Sequence, residues 1–265
     1  MLTFVHMLPS LVRMVHRTDF IASFAKGLRV LECFRAETPR QSVSEIAAVT
    51  GLDRATARRC LLTLTELGYA EYDGKYFQLT PRVLRLGMGA LAALPLPQIV
   101  QPWLDQLSAR TGQSSSVSIL DETEIVYIAR SAATRIMSIG LMPGSRLPAH
   151  CTSMGRVLLS ALPEEEARKW IDLSDLAPRT MRSRTDPDAI MAELAVVRAQ
   201  GYSVIDQEVE VGLRSIAVPL YDIRGRVVAA LNLGIAASDA PASELAERFI
   251  APLREAQSGL RRVLQ

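Results

Sequence analysis

Three arginines and a threonine cluster between positions 54 and 59, and their side chains are suited to binding phosphates and base edges. Arg54, Thr56, Arg58 and Arg59 fall within six consecutive positions. A guanidinium group can donate two parallel hydrogen bonds to a guanine or a phosphate, and a hydroxyl group can donate one. The cluster therefore indicates contact with nucleic acid. The alternative is a solvated helix face whose charges only aid solubility.

Capping and turn residues around this cluster predict a helix-turn-helix. Ser42 and Glu45 have the spacing of a capping box, which begins a short helix that Gly51 ends. Asp53 can cap the next helix, in which apolar residues recur at helical spacing between positions 57 and 64. That stripe faces the core and leaves the arginines at the exposed N-terminal end, where a recognition helix reads bases.

One more helix is predicted before this motif and a β-hairpin after it. The first helix is expected to bury an apolar face at Phe24, Leu28, Leu31 and Phe34. The dipeptide Asp73-Gly74 predicts a two-residue hairpin turn, the wing. Residues 20–80 are therefore predicted to form a winged helix-turn-helix. Its candidate DNA contacts are Ser44, Arg54, Thr56, Arg58, Arg59 and Lys75, the last being either a phosphate contact or an ordinary exposed turn lysine.

Composition is that of a globular protein, with 265 residues, 49% hydrophobic and 22% charged. Residues 1–94 hold 12 Lys and Arg against 8 Asp and Glu, so the front of the chain is basic. That excess is modest for a DNA-binding protein, and a homodimer on a palindromic operator would double it. Three scattered cysteines cannot form a closed disulfide framework, which favours a reducing cytoplasm.

The segment between the two halves is apolar but unsuited to crossing a membrane. Prolines at 95, 97 and 102 interrupt the uncharged run from Leu86 to Trp103. Residues 81–97 are therefore assigned to a linker helix that also makes dimer contacts, and residues 1–19 to a flexible tail. The effector-binding domain is expected over residues 98–265.

The back half alternates groups of strands with groups of helices. Strands are predicted at 116–120, 124–130, 135–141, 202–209, 215–221 and 227–235, and a long helix at 242–264 closes the chain. Strands grouped apart from helices indicate an α+β domain with a mostly antiparallel sheet. No nucleophile and base, phosphate-binding loop or metal-ligand spacing occurs in the sequence, so neither catalysis nor a cofactor or metal is expected.

Three places in this half could bind a small ligand. The loop from Pro148 to Gly155 runs into a helix start whose amides attract carboxylates, although Thr152 or Ser153 could simply cap that helix. The segment from Asp206 to Ser215 concentrates charges, which could equally be a salt-bridged strand edge. Asn232 lies in an apolar strand, where a buried amide needs a partner.

Spaced motifs across the whole chain resemble the IclR-type transcriptional regulators. The motifs follow the winged helix-turn-helix in order: Gly144-Ser145-Arg146-Leu147-Pro148, Ser153-Met154-Gly155-Arg156, Gly201-Tyr202 and Glu208-Val209-Glu210-Val211-Gly212-Leu213-Arg214-Ser215. The longer run from Arg146 to Arg156, with Asp206-Gln207-Glu208, is similar to the subgroup that controls protocatechuate and 4-hydroxybenzoate catabolism in the β-ketoadipate pathway.

The resemblance implies a GAF-like effector domain, a homodimer or dimer of dimers on operator DNA, and a small aromatic or dicarboxylic acid as effector. The effector contacts that it implies are Ile136, Ile139, Ser153, Met154, Ile205, Leu213, Ser215 and Asn232. It leaves the carboxylate partner open among His150, Arg130, Arg135, Arg214 and the helix-start amides. Ile205 and Met154 replace polar residues of other members, which suggests a more apolar pocket.

The sequence thus predicts a cytoplasmic, ligand-responsive transcriptional regulator. Three alternatives stay open at this point. One is a regulator of the same family that serves a different carboxylate pathway. The others are an enzyme with an appended DNA-binding domain and an architectural DNA-binding protein whose back half only oligomerises.

Overall fold

The structure, a computed structural model, describes residues 20–35, 38–87, 95–133 and 140–264. The chain divides into two compact units, Met1–Ala92 and Ala93–Gln265. Each unit has its own hydrophobic core. The tail predicted at residues 1–19 lies outside the described residues.

The N-terminal unit is a winged helix-turn-helix. Its elements are α1 (Ala22–Glu32), β1 (Arg40–Gln41), α2 (Val43–Thr50), α3 (Arg54–Glu66), β2 (Ala70–Tyr72) and β3 (Phe77–Leu79). The strands form an antiparallel sheet in the order β1-β3-β2. Gly51 ends α2 with a φ of 66°, a left-handed conformation that glycine adopts without strain.

The core of this unit corrects the predicted buried face of α1. Val30 is fully buried beside Ile46, Ala57 and Leu61, whereas Phe24 is 66% exposed. Leu28 is exposed as well, so the predicted apolar stripe includes positions that face away from this core. Helical periodicity marks an apolar face, but the neighbouring helices decide which part of that face is covered.

The wing turn is longer than the predicted two-residue turn. The Asp73 amide donates to the carbonyl of Tyr76, and the Asp73 carboxylate accepts the amides of Lys75 and Tyr76. These bonds lower the pKa of Asp73 to about 2. Because the side-chain carboxylate of Asp73, and not its backbone carbonyl, accepts the Tyr76 amide, regular strand pairing begins only at Tyr72 and Phe77.

The segment after the wing forms a 3₁₀ turn at Pro81–Val83 and stays helical through residue 87. Residues 88–94, within the predicted linker of 81–97, lie outside the described residues. The next helix, α4, begins at Pro95, so the predicted boundary after Pro97 falls inside a helix. Proline is tolerated in a first turn because the amide that it lacks has no partner there.

The C-terminal unit contains a six-stranded antiparallel sheet between two layers of helices. Its helices are α4 (Pro95–Thr111), α5 (Ser153–Ser160), α6 (Glu164–Leu173), α7 (Pro187–Gln200) and α8 (Leu245–Arg261). Its strands are β4 (Ser114–Asp121), β5 (Glu124–Ser131), β6 (Arg146–Pro148), β7 (Ser203–Asp206), β8 (Leu213–Tyr221) and β9 (Val227–Ala236), in the order β6-β5-β4-β9-β8-β7. Helices α4 and α8 cover one face, and α5, α6 and α7 cover the other.

Several predicted elements of this unit are displaced. The strand predicted at 135–141 falls largely on residues outside the described ones, and β5 pairs with β4 on one side and with β6 on the other. The strand predicted at 202–209 stops at Asp206, because Gln207 takes a φ of 62° that leaves the extended conformation. The closing helix begins at Leu245 after a 3₁₀ turn at Ala242–Glu244.

Candidate functional site

Two capping interactions fix the helix-turn-helix that presents the basic cluster. The Ser42 hydroxyl accepts the Glu45 amide while the Glu45 carboxylate accepts the Ser42 amide at 2.7 Å, as the sequence predicted. At the start of α3, Asp53 accepts the Thr56 amide at 2.8 Å. That hydrogen bond is the main cause of the lowered pKa of Asp53, which is therefore charged when it caps the positive end of the helix.

The predicted DNA-contact residues lie on the surface of the N-terminal unit. Arg54, Arg58 and Arg59 are exposed on α3, and Ser44 is exposed on α2. Within the described part of the chain, no carboxylate forms an ion pair with any of these three guanidinium groups. Their charge is thus available to a phosphate backbone.

Two further predicted DNA contacts, Thr56 and Lys75, have neighbours that limit their exposure or hold their side chain. Thr56 is only half-exposed in the first turns of α3, next to the fully buried Ala57. Lys75 is exposed in the wing turn, with its ammonium 4.9 Å from the centre of the Tyr76 ring. A cation held over a ring keeps its charge and can still approach a phosphate.

A cavity in the C-terminal unit lies between the sheet and the start of α5. Its walls are formed by Tyr127, Arg130, Leu141, Leu147, Thr152, Ser153, Met154, Val209, Leu213, Ser215, Asn232 and Gly234. The cavity has a volume of about 30 Å³, room for about one water molecule. Most of the wall is apolar, and Arg130 is its only cationic residue among the described ones.

Polar atoms without partners point to this cavity as a binding site. Ser153 Oγ and Asn232 Oδ1 are buried, and neither has a hydrogen-bond partner among the described residues. Leaving such an atom unsatisfied costs about 1–3 kcal/mol. Both residues border the same cavity, so one ligand could satisfy both atoms.

Arg130 and Asn232 are brought together by the register of three strands. Ser116 on β4 lies directly opposite Arg130 on β5 and directly opposite Asn232 on β9. Arg130 donates to the Ser116 hydroxyl at 3.2 Å and forms no ion pair with a described carboxylate. Its partial burial lowers the pKa of the guanidinium group, which remains charged at neutral pH.

The start of α5 is held close to the preceding loop. The Thr152 hydroxyl accepts the Gly155 amide at 3.1 Å, which caps the helix as the sequence allowed. Gly155 packs so tightly on Ala149 that a Cβ atom would lie 2.1 Å from the Ala149 carbonyl oxygen. This contact requires glycine and fixes Ser153 and Met154 at the cavity wall.

Of the ten predicted effector-site residues, five border this cavity, three lie elsewhere and two are outside the described residues. Ser153, Met154, Leu213, Ser215 and Asn232 are on its wall. Ile136 and Ile139 lie outside the described residues.

The remaining three are placed elsewhere by the fold. Ile205 is buried opposite Ser215 on the edge strand β7, one strand too far out to reach the wall. Arg214 faces the other side of the sheet, because successive residues of a strand alternate, and it binds Asp206 and two carbonyl groups. His150 is buried, its Nδ1 atom has no hydrogen-bond partner among the described residues, and burial lowers its pKa to about 4, so it is uncharged at neutral pH.

Some wall residues were not found from the sequence. Tyr127 and Gly234 face the cavity from β5 and β9, and burial raises the pKa of the Tyr127 hydroxyl to about 12. Arg130 was only one of several alternatives for the carboxylate partner. Strict strand alternation would place Tyr127 and Arg130 on opposite faces, because they are three residues apart in β5. The register shift of β5 opposite Val117 and Ser118 brings both side chains to the cavity, and no local sequence pattern predicts that shift.

A second, more open groove is a weaker candidate. It is lined by Arg156, Arg182, Arg184, Asp206 and Glu208 among others. Each of these arginines already forms an ion pair with a carboxylate, so the groove offers a ligand no free charge. Across the part of the chain that the structure describes, no cluster of side chains could hold a metal ion, and no helix is long and apolar enough to cross a membrane.

A winged helix-turn-helix followed by an α+β domain with a small, mostly apolar cavity is the architecture of a ligand-responsive transcriptional regulator. The chain belongs to the IclR family of these regulators. Residues 23–74 match the IclR helix-turn-helix domain, and residues 88–261 match the bacterial transcriptional regulator IclR C-terminal domain. The predicted family and α+β fold class are therefore confirmed.

Individual relatives are similar over almost the whole chain. The chain is 44% identical to the Pca regulon regulatory protein of Pseudomonas putida, over 91% of this chain and 84% of the relative. It is 38% identical to the p-hydroxybenzoate hydroxylase transcriptional activator of Acinetobacter baylyi, over 94% of each chain.

Among the similar structures that contain a ligand is the inducer-binding domain of an Acinetobacter PobR double mutant in complex with 3-hydroxybenzoic acid. It has a TM-score of 0.60 and 34% identity, and the match covers 63% of this chain and 98% of that one. Since the matching families and relatives are transcriptional regulators, the chain is a regulator with DNA as a partner, not an enzyme with an appended DNA-binding domain.

Proposed function

We propose that this regulator responds to a small aromatic monocarboxylic acid held in the cavity between the sheet and α5. The observation that carries this proposal is the pair of unpartnered buried atoms, Ser153 Oγ and Asn232 Oδ1, beside the guanidinium of Arg130. The carboxylate would pair with Arg130, the Ser153 hydroxyl could donate to its second oxygen, and Asn232 Oδ1 would accept a hydrogen bond from a ring hydroxyl. The names of the relatives support an aromatic acid, since they regulate Pca genes and p-hydroxybenzoate hydroxylase.

The charge of the wall favours an aromatic monoacid over a dicarboxylic acid. Arg130 is the only cationic residue of the described wall, which also contains the apolar residues Leu147, Met154 and Val209. A second carboxylate would lie against these apolar side chains without a countercharge, which is costly. A ring can instead cover them.

Effector binding must move the walls, because a volume of about 30 Å³ cannot hold a ring. A ligand shifts a conformational equilibrium only when it binds one conformation better than another. The cavity meets this requirement if the wider conformation alone admits the acid. We propose that this widening is the event that alters operator binding.

The DNA-binding candidates remain Ser44, Arg54, Thr56, Arg58, Arg59 and Lys75, on a homodimer or dimer of dimers. Leu84 and Leu86 support self-association, because they are 64% and 54% exposed in the segment assigned to dimer contacts. Two copies would also place two basic recognition helices on one palindrome. Acting on the bacterial chromosome, the regulator would be cytoplasmic.

The test is calorimetric titration of the full chain with protocatechuate, 4-hydroxybenzoate and β-ketoadipate. We expect one of the aromatic acids to bind saturably and Arg130→Met to weaken that binding about 100-fold, as the loss of a partly buried ion pair requires. The matched control is Arg224→Met, which removes an exposed arginine of a turn.

Three outcomes would contradict the proposal. Tight binding of β-ketoadipate alone would replace the aromatic acid with a dicarboxylic one. Full aromatic-acid affinity in a folded Arg130→Met variant would remove Arg130 from the site. Binding of no acid would favour a different carboxylate pathway or a domain that only oligomerises.

A further inference from the structure

Arg156 is a buried cation one turn beyond the cavity wall. It lies three residues after Ser153 on α5, and its side chain is 1% exposed. Its Nε atom donates to the His150 carbonyl at 2.9 Å, and its Nη2 atom donates to Glu208 Oε2 at 2.7 Å. One guanidinium group therefore joins the loop before α5 to a different part of the chain.

Its partner, Glu208, is in the turn between β7 and β8. The same Oε2 atom accepts the Arg184 amide at 3.1 Å, and the Glu208 carbonyl accepts the Ser183 hydroxyl at 2.7 Å. The next residue, Val209, is buried and borders the effector cavity. Glu208 thus fixes the backbone at the point where this turn becomes cavity wall.

The ion pair joins two opposite walls that have no other charged link among the described residues. One wall is the start of α5, with Ser153 and Met154, and the other is the turn with Val209 that leads to Leu213. A buried ion pair loses hydration, so apolar residues of similar volume often support equal stability. The ion pair therefore fixes the relative orientation of the two segments more than it adds to stability, because a planar guanidinium group holds its partners at set angles.

We propose that Arg156 and Glu208 are positioning residues that set the spacing of the two cavity walls and thereby the affinity for the effector. Neither side chain borders the cavity, so the pair acts through Ser153, Met154 and Val209. The inference rests on the proposed function, since it concerns the same cavity.

The test separates stability from effector affinity with a double substitution. Arg156→Met with Glu208→Leu removes both buried charges together, and we expect its thermal midpoint to stay within a few degrees of the parent. We expect effector affinity, measured by calorimetry on the full chain, to fall about 10-fold. Glu255→Gln is the matched control, because it neutralises an exposed ion pair with Arg110 and should change neither quantity.

A second variant applies if the double variant does not fold. Arg156→Lys keeps the charge, but an ammonium group cannot reproduce the two-armed contact with His150 and Glu208. We expect a 3- to 10-fold loss of affinity, together with reduced discrimination between 3-hydroxybenzoate and 4-hydroxybenzoate.

The outcomes distinguish this inference from the proposed function. If the parent protein binds no aromatic acid, the proposed function fails. If the parent binds and a folded variant binds equally well with the same discrimination, the pair is only structural and the inference is overturned. Weaker binding at unchanged thermal stability supports it.

Discussion

The surface of α3 and the cavity of the C-terminal unit both present polar groups that have no partner among the described residues, but the energetic cost differs greatly between them. Arg54, Arg58 and Arg59 are exposed to water, so the lack of an ion-pair partner costs them no desolvation free energy before a polyanion binds. Ser153 Oγ and Asn232 Oδ1 are buried, and each unsatisfied atom costs about 1–3 kcal/mol. The first arrangement suits a ligand recognised by charge along its length, and the second suits one small ligand of matching shape.

The substitution with the largest expected effect disrupts the wall of the cavity and leaves the N-terminal unit unchanged. In Gly155→Ala, the new methyl group would overlap the Ala149 carbonyl, so α5 must shift away from the preceding loop. We expect the C-terminal unit to lose about 3 kcal/mol of unfolding free energy, as severe overpacking does. Chemical denaturation of the full chain, followed by Trp fluorescence, measures the loss.

The matched control for this variant is Gly140→Ala. A methyl group added at Gly140 would have no heavy atom within 4 Å, and this glycine does not adopt a positive φ. Equal stability of Gly155→Ala and the control would show that the close approach to Ala149 does not hold the cavity wall.

Local signals in the sequence predict the DNA-binding surface better than the cavity. Ser42, Glu45 and Asp53 act on amides three residues away, so neighbouring letters contain the whole interaction. Arg130 and Asn232 are distant in the chain and meet through Ser116, which depends on a register that no local pattern specifies.

Arg214 shows that a residue within a site motif does not necessarily face the site. It stands between Leu213 and Ser215 in a matched motif, but strand alternation directs it to the opposite face. Val30 makes the same point for α1, because the helices packed against it decide which apolar residues are buried.

A smaller effect, on operator affinity, is expected for a substitution on the exposed surface of α3. Arg58→Ala should weaken operator binding about 10- to 100-fold if the guanidinium group reads a base, and it should also lower the slope of log affinity against log salt by about one if it contacts a phosphate. Fluorescence anisotropy with labelled operator DNA at several salt concentrations separates these two roles. Arg29→Ala removes an exposed charge from α1 and is the control. An unchanged affinity and slope would remove Arg58 from the interface.

The smallest effect tests whether burial without a partner makes the C-terminal unit sensitive to acid. Burial, aided by the positive charge of Arg156, lowers the pKa of His150 to about 4 in the folded state, below the value of 6.5 for a free histidine. Between these values the unfolded chain binds the proton more readily, so lowering the pH from 7 to 4 should remove stability. We expect this group to account for about 1–2 kcal/mol, allowing for local relaxation on protonation.

Comparing the parent with His150→Gln isolates this contribution from the titration of carboxylates, which both proteins share. The free energy of unfolding, measured with denaturant at pH 7, 5.5 and 4, should be higher for the parent at pH 7. This difference should disappear, or reverse in favour of the variant, as the pH falls. A difference in unfolding free energy that stays constant with pH would mean that His150 is solvated in the folded state. Its Nδ1 atom would then differ from the buried, unsatisfied atoms of Ser153 and Asn232.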